Sequence, residues 1–525
     1  MTANQQSMDD DRGTTAAAGR RPLIDPRSLT GRTVTIRRRH GPWVVVAALL
    51  GVALVAGACG GSDDTGSGSS STVNSAGGTA AGPTCATDLA DGTTEITLWH
   101  PYNALTKTTL ESIVESYNAS QSKVKVNIAS QGNTGELQKK YSELMATPDQ
   151  LPDLVFSEDT NLQFMSDSGT VVAAASCKKA DPKGAAYLDA LLPAVTSAYT
   201  VRGTLWPTAF SISTLMMYEN NAHLRAAGLE PNVFPTTLDE LRTMAEKIKS
   251  ANVAGVKAPL VMKLDPWVLE TLLTGTQQQI VNNDNGRTSL ATKSKIDNKA
   301  ATTVLDWIQS MVADGLLTTI PYGDSIDDFL AFSQGNSSFI ISGQRSITSV
   351  AAVMDGQAGG VDIQGAPSAD VLNKLDINAG LFPGLKAAGQ SGVSGSAGYI
   401  IRSTNAKVAA AWDFMKYFNA MAQQQRWVLE GSYLPPSQAV LESPEVQKAF
   451  TDTRAGRWTA TVAAGMTALD PSFPGPLVGP YNEYRERLIE LLDQVAAGSP
   501  VKGSLGAASN DITTMLGSYK SEVGG

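Results

Sequence analysis

The sequence predicts an α/β fold, from three observations. Between residues 93 and 156, segments with the alternation of β-strands take turns with segments that have the 3.6-residue period of helices. That β-α-β-α-β order predicts a parallel sheet with crossover helices. Further strands and amphipathic helices follow to the C-terminus. The chain of 525 residues is long enough for several domains or for one large two-lobed unit.

Residues 1–58 have the organisation of an export signal. An Arg-rich region is followed by an uncharged apolar run at 43–58, which is short for a membrane span of about 20 residues. The run ends in Ala56-Gly57-Ala58-Cys59, which resembles a bacterial lipobox with Ala56 in place of the usual Leu. We therefore expect Cys59 to be lipidated. A plain signal peptide and a short anchor helix are the alternatives.

Residues 59–92 are predicted to form a flexible linker. Most of this segment is Gly, Ser, Thr and Ala, with almost no large apolar side chain. Such a composition cannot bury enough surface to order itself. Directly after a lipidated Cys, the linker would hold a folded body off the membrane.

Composition excludes several classes of function. The formal net charge is −9, and the segment before Cys59 is basic, with eight Arg and four Asp, so the remainder is at −13. An acidic body argues against nucleic acid as a partner. The chain has three His and three Cys, too few for a His/Cys metal cluster. We expect no metal and no cofactor.

The predicted elements of the first part of the body place a site at one edge of the sheet. Strands are expected at 95–99, 123–128 and 153–156, with helices at 108–117 and 135–145. Ligands of parallel sheets bind beyond the carboxyl ends of the strands. Candidate segments are therefore 99–100, 130–134 and 156–159.

Residues 205–228 form the stretch around which the rest is organised. An aromatic residue, a proline and small hydroxyl residues lead into an apolar strand at 214–218, then a short helix that Gly228 ends. Later helices are predicted at 236–250, 299–314, 406–420 and 481–497, and strands within 329–343 and 393–401. The segment 282–286 is expected to be a turn rather than a calcium loop, because it lacks the carboxylates.

This stretch resembles the hinge of family 1 extracellular solute-binding proteins of bacterial ABC importers. It contains Pro207, Ser213, Tyr218 and Asn220, but has Glu219 where the family usually has a second Tyr. Other segments match the family in order over about 93–520: ITLWH at 96–100, PDLVFSE at 152–158, AGLEPNVFPTTLDEL at 227–241, the Phe/Gly/Ser pattern of 332–343, and GSYLPPSQAVL at 431–441.

The resemblance implies a type II periplasmic-binding-protein-like fold, with a ligand cleft between two discontinuous α/β lobes. The expected boundaries are 93–208 with 367–425 for lobe 1, and 209–366 with 428–520 for lobe 2. The implied function is capture of a sugar, polyol, glycerol-3-phosphate or glycerophosphodiester, and its delivery to an ABC permease. The protein would be a monomer, exported and lipid-anchored at the outer face of the membrane.

The glycerol-3-phosphate-binding type looks nearest, and it implies a set of ligand-binding residues. Carried over by motif position, or placed beside the expected pocket, these are Thr134, Glu158, Ser213, Trp267, Arg345, Ser346, Gly395, Ser396 and Tyr433. Trp267 could equally belong to the core, and Tyr433 to simple loop packing.

The charge of the ligand stays open at this point. Phosphate recognition favours a bidentate Arg, but Leu477 occupies the position where the resemblance places one. Arg345, next to the expected pocket, could take that role, whereas Arg485, a turn and a half further along, could belong to the helix surface. A neutral and a phosphorylated solute are both consistent with this pattern.

Two further expectations concern catalysis and disulfides. Ser394 lacks the final Gly of a nucleophile elbow, so we expect a binding protein rather than an enzyme. An exported sugar-cleaving enzyme and a surface receptor or adhesion lipoprotein remain the alternatives. Because export permits disulfides, Cys85 and Cys177 are expected to pair.

Overall fold

The computed structural model describes residues 84–323, 326–356, 375–466 and 469–523. The predicted signal segment 1–58, the lipidation site Cys59 and most of the linker lie outside these ranges. Within them, no helix is both long enough and apolar enough to cross a membrane.

Strands of the described ranges form two main sheets and one small hairpin. In chain order they are β1 Thr94–His100, β2 Val124–Ser130, β3 Leu154–Glu158, β4 Val171–Val172, β5 Thr200–Val201, β6 Thr204–Leu205, β7 Thr208–Ala209, β8 Leu215–Asn220, β9 Leu260–Lys263, β10 Leu317–Ile320, β11 Phe339–Gly343, β12 Ile377–Leu381 and β13 Ser396–Ile401.

The first sheet has the order β2-β1-β3-β13-β4, with β7 also paired to β13. β1 runs parallel to β2 and β3, whereas β13 runs antiparallel to β3. The second sheet has the order β10-β9-β11-β8-β12, in which β9, β10 and β11 are parallel and β8 is antiparallel to both neighbours. Each sheet with its helices is called a lobe below, and the sheets are numbered as the lobes.

Helices cover the sheets of both lobes. They span Ala104–Ser120, Thr134–Leu144, Leu162–Asp167, Ala174–Ala180, Ala186–Asp189, Pro193–Ala198, Asn221–Ala226, Leu238–Ser250, Pro266–Gly275, Asn282–Asn285, Lys299–Ala313, Asp327–Ser333, Ile347–Met354, Asn405–Phe418, Met421–Leu429, Gln438–Leu441, Pro444–Asp452, Arg454–Met466, Tyr481–Ala496 and Val501–Val523.

The described elements confirm the predicted α/β class, and most predicted segments are found within a few residues. The helix Ala104–Ser120, for example, buries Leu110, Ile113, Val114 and Tyr117, which share one face at helical spacing. At 282–286, where a turn was expected, the structure has the single irregular helical turn Asn282–Asn285, in which Asn283 and Asp284 have positive φ and the Asn285 side chain accepts hydrogen bonds from two backbone N–H groups.

One predicted boundary differs from the structure. Residues 367–425 were expected in lobe 1, but β12 pairs with β8 in the second sheet. The chain rejoins the first sheet only at Ser396. Periodicity indicates that a strand exists there but carries no information about which neighbour it pairs with, and that pairing decides the lobe.

The lobes are connected at three adjacent extended segments. Ile212 exchanges backbone hydrogen bonds with Leu434, at 3.0 Å in each direction, and the Ser213 N–H donates to the Ser394 carbonyl at 2.7 Å. The buried Gln344 side chain donates to the Ser432 carbonyl at 3.0 Å, which ties the turn after β11 to the same place. Short, paired connections of this kind let two lobes rotate as rigid bodies while few backbone angles change.

A second contact between the lobes is made by Arg287. Its guanidinium donates to the Ala198 carbonyl of lobe 1 at 2.7 Å and, through Nε, to the Gly475 carbonyl at 3.0 Å. Burial lowers the pKa of Arg287 to about 10, so the side chain stays charged at neutral pH. Carbonyl acceptors on both sides satisfy a partly buried cation that would otherwise be costly.

A disulfide joins Cys85 to Cys177 within lobe 1. Both side chains are buried, their Cα atoms are 4.8 Å apart, and the two residues are separated by 92 positions in the sequence. The bridge fixes the end of the predicted linker to the helix Ala174–Ala180.

Candidate ligand-binding cleft

The carboxyl ends of the parallel strands in both sheets contribute residues to one cleft. In lobe 1, β3 ends at Glu158, while in lobe 2, β9 ends at Lys263 and β11 at Gly343. In open α/β sheets, ligands bind in the crevice beyond such strand ends. The two edges together form the walls of the cleft.

The inner part of the cleft is a cavity of about 250 Å³ beside the connections between the lobes. Its lining combines aromatic rings, hydroxyl groups and both signs of charge. The residues are Glu158, Ser213, Leu215, Lys263, Asp265, Trp267, Val268, Tyr322, Asp328, Phe329, Ile341, Ser342, Gly343, Arg345, Ser394, Gly395, Ser396, Tyr433 and Arg485.

The cavity adjoins a wider mouth of about 910 Å³, which shares Glu158, Tyr322, Arg345 and Arg485 with the inner part. The helix Thr134–Leu144 of lobe 1 and the start of the helix Tyr481–Ala496 of lobe 2 both line it. Together the two volumes can accommodate a ligand larger than one sugar ring, since ligand pockets usually measure about 300–1,000 Å³.

Glu158 and Arg345 approach each other across the cleft. The Arg345 Nη1 atom lies 3.8 Å from the Glu158 carboxylate and donates to the Tyr433 hydroxyl at 3.2 Å. The Ser396 hydroxyl donates to the same Tyr433 oxygen at 3.3 Å. The Tyr433 ring stacks on Trp427 with an interplanar angle of 7°. Tyr433 thus both packs in the core and presents its hydroxyl to the cavity.

Trp267 is held at the wall of the cavity by the start of its helix. Asp265 is the N-cap, and its carboxylate accepts the Trp267 N–H at 2.9 Å. The indole is half-buried and lies near Gly343: a Cβ on that glycine would be 3.5 Å from Cζ3 of the ring. A flat aromatic face fixed in this way can stack on an apolar sugar face.

Asp328 supplies a buried acceptor to the inner cavity. Its side chain is almost fully buried, and its Oδ1 atom has no hydrogen-bond partner among the described residues. Burial raises the pKa of Asp328, and the nearby Lys263 charge opposes that shift. Asp328 therefore places a carboxyl group in the lining of the inner cavity, although its Oδ1 atom has almost no exposed surface.

Asp159 supports the turn that enters β13. Its Oδ1 accepts the Ser394 hydroxyl and the Gly395 N–H, each at 2.9 Å. Burial raises the pKa of Asp159 to about 6, although these two donors favour the ionised form. Gly395 is required here because a Cβ would lie 2.2 Å from the Ser211 carbonyl oxygen of the adjacent connection. The close approach places Ser394, Gly395 and Ser396 at the cavity.

Most of the predicted site residues line the cleft. Glu158, Ser213, Trp267, Arg345, Gly395, Ser396 and Tyr433 line the inner cavity, and Thr134 lies in the mouth, at the start of its helix. These placements show proximity to a cavity and leave their roles in binding as proposals.

The placement predicted for Ser346 is wrong. Its hydroxyl donates to the Gly343 carbonyl at 2.9 Å and lies 2.8 Å from the Tyr218 hydroxyl, beside a separate apolar cavity. Residues 344–346 form a 3-10 turn, in which consecutive side chains point in different directions. Arg345 therefore faces the cleft while Ser346 does not.

Several lining residues were not predicted. Lys263 ends β9, Asp265 follows it, and Tyr322 follows β10, so the same rule about strand ends would have found them. The sequence allows Arg485 a position on the helix surface. It is largely buried, lines the cleft and pairs with Glu270 at 2.7 Å. Asp328 and Glu270 gave no signal, because one carboxylate in an amphipathic helix has no recognisable pattern.

A model of the family described as bacterial extracellular solute-binding protein matches residues 112–451, which is well over half of the chain. No curated protein sequence is significantly similar to the chain.

Solved structures of binding proteins share the fold at low sequence identity. The cyclic alpha-maltosyl-1,6-maltose binding protein from Arthrobacter globiformis is 18% identical, with a TM-score of 0.62 over 81% of this chain and 100% of that one. The GacH receptor of Streptomyces glaucescens, solved unliganded and with acarbose, is 19% identical, with a TM-score of 0.62 over 81% and 98%. UgpB from Mycobacterium tuberculosis, in complex with glycerophosphocholine, is 14% identical, with a TM-score of 0.62 over 81% and 99%.

Proposed function

Because the chain belongs to the bacterial extracellular solute-binding proteins, we propose that it captures a hydroxylated solute, a sugar of more than one ring, in the cleft between its lobes. The observation that carries this proposal is the inner cavity, where a half-buried Trp267 ring and the carboxyl groups of Glu158 and Asp328 line one small volume.

Sugars have the two properties that such a cavity requires. Their C–H faces stack on aromatic rings, and their hydroxyl groups donate to carboxylate and carbonyl oxygens. Trp267 supplies the ring, and Asp328, Glu158 and Asp265 supply the carboxylates. The wide mouth beyond Arg345 gives room for further rings.

The ligands named for the similar structures fit the same chemistry. Two of them are a cyclic maltosyl-maltose and acarbose. The third, glycerophosphocholine, carries a phosphodiester and keeps a phosphorylated polyol as the second candidate. Arg345 is the observation that favours this candidate, since its side chain is about half exposed and lines the cavity.

Delivery to an ABC permease and anchoring through a lipid on Cys59 complete the proposed function. The family supports an exported location and a membrane permease as partner. The sequence before the body supports the anchor, since an apolar run ends at Cys59 and a Gly/Ser-rich linker follows. A lipidated, tethered binding protein would stay near the permease after export.

A thermal-shift series on the mature protein tests the ligand assignment. The panel consists of mono-, di- and trisaccharides, polyols, glycerol-3-phosphate and glycerophosphocholine. A ligand that binds the folded state raises the melting temperature by mass action, and the rise saturates with concentration. We expect a saturable rise with at least one di- or trisaccharide. A rise with phosphorylated compounds alone would replace the sugar by the second candidate.

A further inference from the structure

We propose that Glu270 sets the charge preference of the cleft by neutralising Arg485, so that uncharged solutes are selected over anionic ones. The inference deepens the proposed function and rests on it, because it concerns which ligands that site accepts. Glu270 acts here through Arg485 and is a positioning residue rather than a ligand contact.

Glu270 and Arg485 form a buried, bidentate ion pair. Arg485 Nη2 lies 2.7 Å from Glu270 Oε2, and Arg485 Nε lies 3.4 Å from Oε1. The side chains are 20% and 6% exposed, respectively. The guanidinium also lies over the ring of Tyr481, 5.2 Å from its centroid. Its plane is therefore fixed by a carboxylate and an aromatic ring.

The position of Arg485 explains why the Glu270–Arg485 pair can affect ligand binding. Arg485 lines both the inner cavity and the mouth. Glu270 lines neither of them. It lines a small adjoining cavity of about 40 Å³, together with Arg485 and Trp267. A guanidinium at a cavity wall is the donor that best matches a phosphate group. Here its fork is already directed to a carboxylate.

An anionic ligand would have to compete with Glu270 for the same donors. Displacing the carboxylate would leave a buried charge without its partner, which is strongly unfavourable. Arg345, the other guanidinium in the lining of the inner cavity, is about half exposed; it lies 3.8 Å from Glu158 and donates to the Tyr433 hydroxyl, a looser pairing than that of Arg485. A neutral sugar can bind while the Glu270–Arg485 and Glu158–Arg345 pairs both stay intact, because its hydroxyl groups can donate to oxygen atoms at the surface of the cleft.

The substitution Glu270→Gln tests the proposal, because Gln keeps the shape and one acceptor but removes the charge. We expect the affinity for glycerol-3-phosphate, measured by isothermal titration calorimetry, to rise at least about tenfold, the scale of one charge-assisted hydrogen bond. Affinity for a neutral sugar that the wild type binds should change less than about threefold. The double variant E270Q/R485Q should lose the gain in affinity for glycerol-3-phosphate. This result would distinguish a charge effect through Arg485 from a general loss of packing around the cleft.

A measurement on the wild type decides the matter even if E270Q does not fold. Inorganic phosphate and glycerol-3-phosphate should give no saturable rise in melting temperature beyond a sodium chloride control of equal ionic strength. A saturable rise in the wild type, or a folded E270Q that gains no anion affinity, would overturn the proposal. If E270Q gains anion affinity and neither protein binds any sugar, the charge role of Glu270 stands and the sugar assignment fails.

Discussion

Glu158 and Arg345 belong to different lobes, and their charged groups lie 3.8 Å apart across the cleft. Glu158 is the last residue of β3, and Arg345 lies in the turn that follows β11. The pair can form only when the lobes are close together. A rotation of the lobes about the connections at Ser213, Ser394 and Leu434 would separate it. Ligand binding and lobe closure are therefore expected to use the same residues.

Replacing Glu158 by Ala should weaken ligand binding by about 1–3 kcal/mol, the scale of a lost charged hydrogen-bond acceptor. The melting temperature without ligand should change little, because a partly exposed ion pair at 3.8 Å contributes little stability. Calorimetric titration and thermal melts check both values. Glu111→Ala, at an exposed ion pair on the helix Ala104–Ser120, is the control. Unchanged affinity in Glu158→Ala would remove this carboxylate from the site.

Replacing Trp267 by Ala should weaken sugar binding by about 1–3 kcal/mol, since the stacking face is lost. Trp267→Phe should recover much of the affinity, because a smaller ring still stacks in the same place. The Asp265 cap accepts the backbone N–H of residue 267, which either variant retains. Equal losses for Ala and Phe would point to a packing role in place of stacking.

Much of the fold was predictable because it depends on local patterns. The alternation of Val124 and Val126, for instance, matches their burial in β2. The lobe to which β12 belongs was not predictable in this way, since pairing with β8 is a long-range choice. The motif positions of the family predicted Glu158, Trp267 and Tyr433 as site residues, and all three line the same cavity.

The rest of the site depends on which segments meet in space. Asp328 and Arg485 are 157 positions apart and line the same cavity. Neither has a local pattern that separates it from an ordinary helix residue. Ser346 shows the opposite failure: it neighbours a cleft residue in sequence, but the turn directs its hydroxyl to Tyr218.

Replacing Glu219 by Gln should alter the pH dependence of stability. Glu219 is fully buried, its Oε1 accepts the Asn232 N–H at 2.6 Å, and burial raises its pKa from 4.5 to about 7. The folded state then holds the proton more tightly than the unfolded state. Ionisation of Glu219 therefore lowers the free energy of unfolding as the pH rises from about 4.5 to about 7.

Glu219→Gln has no carboxyl group to ionise at this position. Its free energy of unfolding, relative to that of the wild type, should therefore increase by about 1–3 kcal/mol between pH 5 and pH 8. Urea denaturation at both pH values measures the difference. Glu230→Gln, at an exposed position nearby, should show no such change. A difference for Glu219→Gln that is the same at both pH values would contradict the expectation.

Replacing Cys59 by Ala should release the protein from the membrane fraction or leave it unprocessed. The reason is that a lipobox Cys is both the lipidation site and the mature N-terminus. Fractionation of cells, followed by mass measurement of the protein, checks this. A variant that remains membrane-bound and is trimmed like the wild type would exclude the lipid anchor.

Small-angle X-ray scattering of the wild type, with and without a saturating ligand from the thermal-shift series, tests the central claim most directly. Neither lobe alone can enclose a solute between Glu158 and Trp267, so binding energy should favour the closed arrangement. We predict a smaller radius of gyration in the presence of ligand. A ligand that binds tightly and leaves that radius unchanged, while Glu158→Ala and Trp267→Ala bind it as well as the wild type, would contradict the account.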